Sequence, residues 1–191
     1  MIALVLADID DIHWHGQTGT VDLVISCGDV DDNLLKEVTE AYSCKAILAV
    51  RGNHDRSAPF ADNVVDLHLN RVDVLGLTFG GFQGSWKYKP RGHYLYEQDQ
   101  VEMAFKDFPS VDVFVAHNSP RGIHDKEDEI HYGFDAFNEY LRNRRPQILV
   151  HGHQHVRVQS QVEGTLVIGA YGAQLLELPG GKVIPSVGRQ E

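Results

Sequence analysis

Positive charge is in short supply in this chain. Its 191 residues carry 17 Lys and Arg against 27 Asp and Glu, a formal charge of −10 with the histidines neutral. That balance argues against a nucleic-acid binder, whose affinity rests on Lys and Arg neutralising phosphates. Long apolar runs are missing too. None approaches the ~20 residues that span a bilayer, so no membrane partner is expected. The opening Met1-Ile2-Ala3-Leu4-Val5-Leu6-Ala7 lacks a basic n-region and is too short for a signal peptide's processing pattern, so it reads as a first strand. Cysteine is rare. Cys27 and Cys44 each sit at the edge of an apolar run, where a thiol behaves as a small hydrophobe, and reduced residues in a cytoplasmic chain are expected. No internal repeat, low-complexity stretch or composition break divides the sequence, which reads as a single domain over 1–191.

Histidine, in contrast, is abundant. The eleven histidines cluster, at His13 and His15 and again at His151, His153 and His155. A second pattern accompanies them: apolar runs that stop abruptly at Asp or His. Residues 2–7 end at Asp8-Ile9-Asp10, and 21–26 end at Cys27-Gly28-Asp29. The run 46–50 ends at Arg51-Gly52-Asn53-His54-Asp55, 111–116 at His117-Asn118-Ser119-Pro120, and 148–150 at His151-Gly152-His153-Gln154-His155. Continuous apolar runs mark strands buried on both faces. Polar residues dropped along one strand edge mark the ligand side of an α/β sheet.

Between these runs the pattern is coarser. About a dozen residues separate the first two, the lower limit for a crossover. Leu34, Leu35, Val38, Ala41 and Tyr42 recur with helical period behind Asp31-Asp32-Asn33, predicting a helix over about 32–43. Residues 64–82 alternate and are broken by Gly76, Gly80 and Gly81, as in antiparallel hairpins of a second sheet. Asp99 and Glu102 resemble a capping box, ahead of a helical face of Val101, Ala104, Phe105 and Phe108 stopped by Pro109. Phe134, Phe137, Tyr140 and Leu141 predict a helix closed by Arg142, Arg144 and Arg145. The tail from 156 to 183 holds short β-like runs.

The strand ends together supply Asp8, Asp10, Asp29, Asn53, His54, His117, His153 and His155. Carboxylates and imidazoles combined suit borderline divalent metals such as Mn, Fe, Co and Zn. Two such ions ~3.5–4 Å apart can clamp a phosphoryl group for in-line attack. Even in an acidic chain, bound ions are the largest charges in the site and can attract a phosphate.

Asp8-x-Asp10, Gly28-Asp29, Gly52-Asn53-His54-Asp55, His117 and Gly152-His153-Gln154-His155, in that order, resemble the five motifs of the calcineurin-like metallophosphoesterase superfamily. The resemblance spans Asp8 to His155. It implies an α/β fold: a β-sandwich of two mixed sheets flanked by helices. It also implies hydrolysis of a small phosphodiester or phosphomonoester, nucleotide-like substrates among them. By the same resemblance Asp8, Asp10 and His155 would bind one metal, and Asn53, His117 and His153 the other, with Asp29 bridging. A metal-bound hydroxide would attack. His54 would face the phosphate, and Asp55 would hold the His54 ring by accepting its other N–H. The cofactors implied are two divalent ions, Mn foremost, with Fe, Zn, Co, Ni or Mg as options.

The first motif departs from the family, which usually has His where Asp10 stands. Asp10 keeps the spacing and adds negative charge, which favours harder ions such as Mn or Mg; the rival is that His13 or His15 restores an imidazole. Lys87, Lys89 and Arg91 interleave with Trp86, Tyr88 and Tyr94. Such a segment either stacks on a base and contacts phosphate or folds its aromatics inward as a surface loop. Arg91 and Arg121 are the substrate-binding candidates. His151 reads as packing or as support behind a ligand, and His68 as a surface strand residue; His93, His124 and His131 read as solvated loop residues, with substrate contact as their alternative. A non-catalytic protein-binding scaffold, the use to which the retromer subunit of the superfamily looks to be put, is the rival class. The presence of His54 favours the enzyme.

Overall fold

The computed structural model describes residues 1–9 and 18–184. Asp10, His13 and His15 therefore lie outside the described residues. In chain order the first part runs β1 (Ile2–Ala7), β2 (Gly19–Thr20), β3 (Leu23–Ser26), α1 (Asp32–Ala41), β4 (Tyr42–Ser43), β5 (Ala46–Ala49) and β6 (Val64–Asp66). The middle follows with β7 (Arg71–Val74), β8 (Leu77–Phe82), β9 (Ser85–Trp86), β10 (Leu95–Tyr96), α2 (Gln98–Phe105), β11 (Val113–Ala116), α3 (Asp135–Arg144) and β12 (Ile148–His151). The chain then closes with β13 (Val158–Val162), β14 (Thr165–Gly169), β15 (Gly172–Glu177) and β16 (Lys182–Ile184).

Two six-stranded mixed sheets result, in the orders β16-β15-β1-β3-β5-β6 and β13-β14-β12-β11-β8-β7. In each, four neighbouring strands run parallel; antiparallel strands close both edges of the second sheet but only one edge of the first, whose other edge is the parallel strand β6. The sheets pack face to face. Ala3, Val5, Ile25 and Leu48 of one meet Phe79, Val113, Val115, Ile148 and Ile168 of the other in a dry central layer. The alternate residues face outward beneath helices. Leu4, Leu6 and Val24 lie under Leu35 and Val38 of α1. Phe114, Leu149 and Val167 lie under α2 and α3. Because both faces are covered, these strands are apolar at most positions, with polar residues such as Ser26 and His151 at their ends. Under α2 and α3, the rings of Phe105, Phe114, Phe137 and Tyr140 stand 5.0–5.5 Å apart, centre to centre, mostly edge-to-face or tilted; such pairs add about 0.5–1.5 kcal/mol each beyond area burial.

Several boundaries differ from expectation. Helix α1 stops at Ala41 because Tyr42 and Ser43 pair in parallel with Gly19 and Thr20. Val64–Asp66 is not part of a hairpin: it adds to the first sheet, parallel to β5. Only β7 and β8 form the antiparallel hairpin, and they do so in the second sheet. The α2 cap is Glu97, whose N–H is bonded to Gln100 Oε1 at 2.9 Å, not the Asp99–Glu102 pair. The helix ends at Phe105, before Pro109 is reached, and Phe108 is buried from the following turn.

The carboxyl ends of β1, β3 and β5 in one sheet meet those of β11 and β12 in the other. Cys27 C=O accepts His117 Nδ1–H at 2.9 Å across the seam. The His153 N–H donates to Asp8 Oδ2 at 2.7 Å.

Candidate metal centre

The turns that follow these strands adopt backbone conformations that side chains usually avoid. Asp8, Asp29, His153 and His155 all have positive φ, at 49°, 52°, 64° and 52°. Left-handed non-glycine residues are uncommon, and clusters of them mark sites where strain is held for function. The turns also approach too closely for side chains. A Cβ on Gly28 (φ +91°) would stand 2.5 Å from Gly52 N, and one on Gly152 would stand 2.8 Å from Asp8 Oδ2.

One ligand atom each from Asp8, Asp29 and His117 lies within 4.8 Å of the others, and all three residues are buried. His117 Nδ1 carries its proton toward the Cys27 carbonyl, so the neutral ring presents a lone pair at Nε2. That atom faces Asn53 Oδ1 at 2.9 Å and Asp29 Oδ2 at 3.4 Å. Asn53 turns its NH2 away, donating to the Tyr88 hydroxyl at 3.2 Å. Beside them, Asp8 Oδ1 is buried with no hydrogen-bond partner, and His155 Nε2 stands 3.5 Å from it. Lone pairs thus converge on one another with too few protons between them. A buried arrangement of this kind is stable only around a cation or an extra proton, and the mixed carboxylate, amide and imidazole donors suit a divalent metal. The residues fit a divalent metal.

The protonation tendencies have the same origin. Burial pushes the Asp29 carboxyl up, but the charge and hydrogen bond of His117 and the His54 N–H outweigh it and hold it below its ordinary value. Burial pushes His117 down; Asp29 and then Asp8 more than reverse this and raise it to about 9. His153 is driven well down by burial and by the nearby His117 charge. His155 is raised by the neighbouring Asp8 carboxylate. Two imidazoles are thus drawn toward a proton in the place where the geometry suits a metal.

His153 Nε2–H donates to the Ile130 carbonyl at 3.1 Å, which leaves Nδ1 as its ligating atom. The His155 ring stacks on Tyr171 at 5.1 Å. His54 is exposed, and its backbone N–H donates to Asp29 Oδ1 at 2.8 Å. Among the described residues its ring has no hydrogen-bond partner.

Asp55 does not do what the motif implied. Its carboxylate accepts backbone N–H groups of Gly52 at 2.7 Å and of Asp29 and Val30 at 3.1 Å, not the His54 ring. The side chain lies under its own turn and is nine-tenths buried, whereas the His54 ring points to solvent. Burial pushes the Asp55 carboxyl up to about 6, despite the Gly52 N–H.

The remaining candidates divide. Arg91 is exposed and joins none of the groups above. Arg121 is bound to Asp125 at 2.5 Å and lies 3.6 Å over the Tyr132 ring, so its charge is already paired. Lys87 pairs with Glu97 at 2.9 Å. His68 is half-buried against Phe82 and Tyr96 instead of on the surface, and burial pushes its pKa down. His124 is also tied in. Ser160 Oγ and His151 Nε2 each lie 2.9 Å from its ring nitrogens, and buried His151 continues the chain to the Gly152 carbonyl.

His131, read as a solvated residue, sits beside the centre. Its ring is 5.2 Å from that of His153 and 6.1 Å from that of His155, and its Nδ1 is 2.8 Å from Asp128. Its carbonyl accepts the Gln154 side chain at 2.9 Å, which fastens the 128–132 segment to the Gly152–His155 turn. The three-residue step from Asp128 to His131 was the available signal, although its long-range partner was not visible.

The chain matches the calcineurin-like phosphoesterase superfamily domain over residues 8–177, and it belongs to that superfamily. Hydrolysis and divalent metals are general features of the group. Among solved structures, TT1561 of Thermus thermophilus aligns with TM-score 0.60 at 14% identity over 96% of each chain. Phosphopantetheinyl hydrolase of Mycobacterium tuberculosis aligns with TM-score 0.60 at 12% identity over 89% of each chain. Vps29 of Entamoeba histolytica complexed with Zn2+ aligns with TM-score 0.51 at 13% identity, covering 96% of this chain and 89% of that one. Identities this low carry the fold alone. No curated protein sequence matches. No described helix is long and apolar enough to cross a membrane.

Proposed function

We propose that the chain is a dinuclear metal-dependent phosphoesterase that hydrolyses a small phosphodiester or phosphomonoester. The carrying observation is the buried convergence of Asp8, Asp29 and His117 within 4.8 Å, at strand ends where the backbone of Asp8 and Asp29 is held left-handed. Two divalent ions, Mn first among them, would supply Lewis acidity toward a phosphoryl oxygen and lower the pKa of a water. Asp8 and His155 would hold one ion and Asn53, His117 and His153 the other, with Asp29 between them. By its spacing from Asp8, Asp10 would complete the first set.

The protein's own side chains supply the rest. His54 is tethered through its backbone to Asp29 Oδ1 while its ring faces solvent. The ring is thereby available to a phosphate entering from outside, to stabilise its charge or to protonate the leaving oxygen. Asp55 keeps the 29–30 and 52–55 turns together, so that Asp29, Asn53 and His54 stay in register. The free thiols of Cys27 and Cys44 agree with a reducing, cytoplasmic setting.

The test is hydrolysis of bis(p-nitrophenyl) phosphate and p-nitrophenyl phosphate with and without Mn2+. Metal-dependent turnover that falls at least a hundredfold in His54→Ala is expected. If the folded, Mn-loaded protein turns over neither ester, the enzymatic reading gives way to the scaffold.

A further inference from the structure

Beside the candidate centre lies an open cleft of about 490 Å3, in the size range of small-molecule sites. It rests on the reading of the centre as a phosphoesterase site, and two contacts tie it there. Tyr88 lines it and receives the Asn53 amide at 3.2 Å. Asp128 lines it and holds the His131 ring, which packs beside His153. A substrate whose phosphate sits at the centre would extend its ester group into this space.

The walls specify what that group is. Trp86, Tyr88 and Tyr132 contribute half-buried aromatic surface. The cations that line the cleft are already neutralised, Lys87 by Glu97 and Arg121 by Asp125. Glu127 and Glu129 line it as well, and among the described residues neither has an ion-pair partner. A second phosphate would therefore meet unbalanced negative charge and no unpaired cation among the lining residues, a repulsive pairing of the kind that excludes ligands. Aromatic faces suit a planar ring, and carboxylates accept hydroxyl hydrogens. We propose that this cleft binds the nucleoside part of a nucleoside monophosphate ester, with the base on the Trp86 side and the ribose hydroxyls toward Glu127 and Glu129. Nucleoside di- and triphosphates are selected against by the same carboxylates.

This assigns the aromatic loop a different role from the one its lysines suggest. The loop is built to keep its shape. Gly84 N–H bonds the Arg51 carbonyl at 2.7 Å, Ser85 N–H the Tyr94 carbonyl at 2.9 Å, and Lys87 N–H the Tyr96 carbonyl at 3.1 Å. The rings are held by this frame and recognise the base, while Lys87 serves the frame through Glu97.

The test measures binding of AMP, ADP and inorganic phosphate to Mn-loaded His54→Ala protein by calorimetry, with Trp86 fluorescence as a second signal. AMP is expected to bind at least tenfold more tightly than phosphate and more tightly than ADP. Trp86→Ala in the same background should remove most of the AMP advantage and leave phosphate binding within twofold. The exposed pair Glu127→Lys with Glu129→Lys, which leaves the packing untouched, should invert the order of AMP and ADP. Equal binding of AMP and phosphate, or tighter binding of ADP to the unaltered cleft, would overturn the assignment while leaving the phosphoesterase reading in place. Failure of AMP and phosphate alike to bind would overturn both.

Discussion

The Asp55 carboxylate accepts the backbone N–H of Asp29 at 3.1 Å, from a position 26 residues along the chain. With the Gly52 and Val30 N–H groups it closes a buried knot between the turns after β3 and β5. Asp55 is therefore a positioning residue for the bridging carboxylate, and substitution should be felt first in stability. Asp55→Asn places an NH2 against at least one of three N–H donors. Leaving buried donors unpaired costs about 1–3 kcal/mol each, so a loss of about 2–4 kcal/mol is expected in urea unfolding. An unchanged midpoint, with activity lost as in His54→Ala, would restore the ring-orienting role.

Gly28→Ala tests the close approach of the same turns. The position combines a φ of +91° with a Cβ position 2.5 Å from Gly52 N. A destabilisation of about 2 kcal/mol or more is expected, with weakened Mn2+ binding because Asp29 moves with the turn. Calorimetric titration of the folded variant checks the second part.

Much of this was legible because the chemistry sits where apolar runs stop. Residues buried on both strand faces must be apolar, so an Asp or His at the end of such a run stands out in Asp8, Asp29 and His117. The parts that escaped depend on distant partners. Asp55 follows His54 directly, which invites a local pairing, but its donors come from 29, 30 and 52. His68 lies in an alternating stretch that looks half-exposed, and only the fold brings Phe82 and Tyr96 over it. Asp128 and His131 form a local pair whose relation to His153 is set by the second sheet.

Metal should stabilise the fold by mass action. Mn2+ at a hundredfold excess over its Kd contributes about 2.7 kcal/mol per site. Metal-free protein is expected to gain several degrees in Tm on adding Mn2+, reversed by a chelator, and Asp29→Ala should lose most of that gain. Scanning fluorimetry checks both.

A pH effect is expected away from the centre. The Thr78 backbone N–H and hydroxyl, with Gln147, hold the Asp112 carboxyl below its ordinary value. A carboxyl depressed in the folded state stabilises above its unfolded pKa of ~3.9 and loses that contribution as pH falls through the folded value. Asp112→Asn should therefore be less stable than the parent at pH 7, with the gap narrowing below pH 4. Urea midpoints at the two pH values check it; a gap that widens in acid contradicts the sign.

The most direct measurement is anomalous diffraction from crystals grown with Mn2+. Two peaks are expected roughly 3.5–4 Å apart on either side of the Asp29 carboxylate, one beside Asp8 and His155 and the other beside Asn53, His117 and His153. No peak in this cluster at saturating Mn2+, or a single ion that touches neither Asp29 nor His117, would contradict this arrangement.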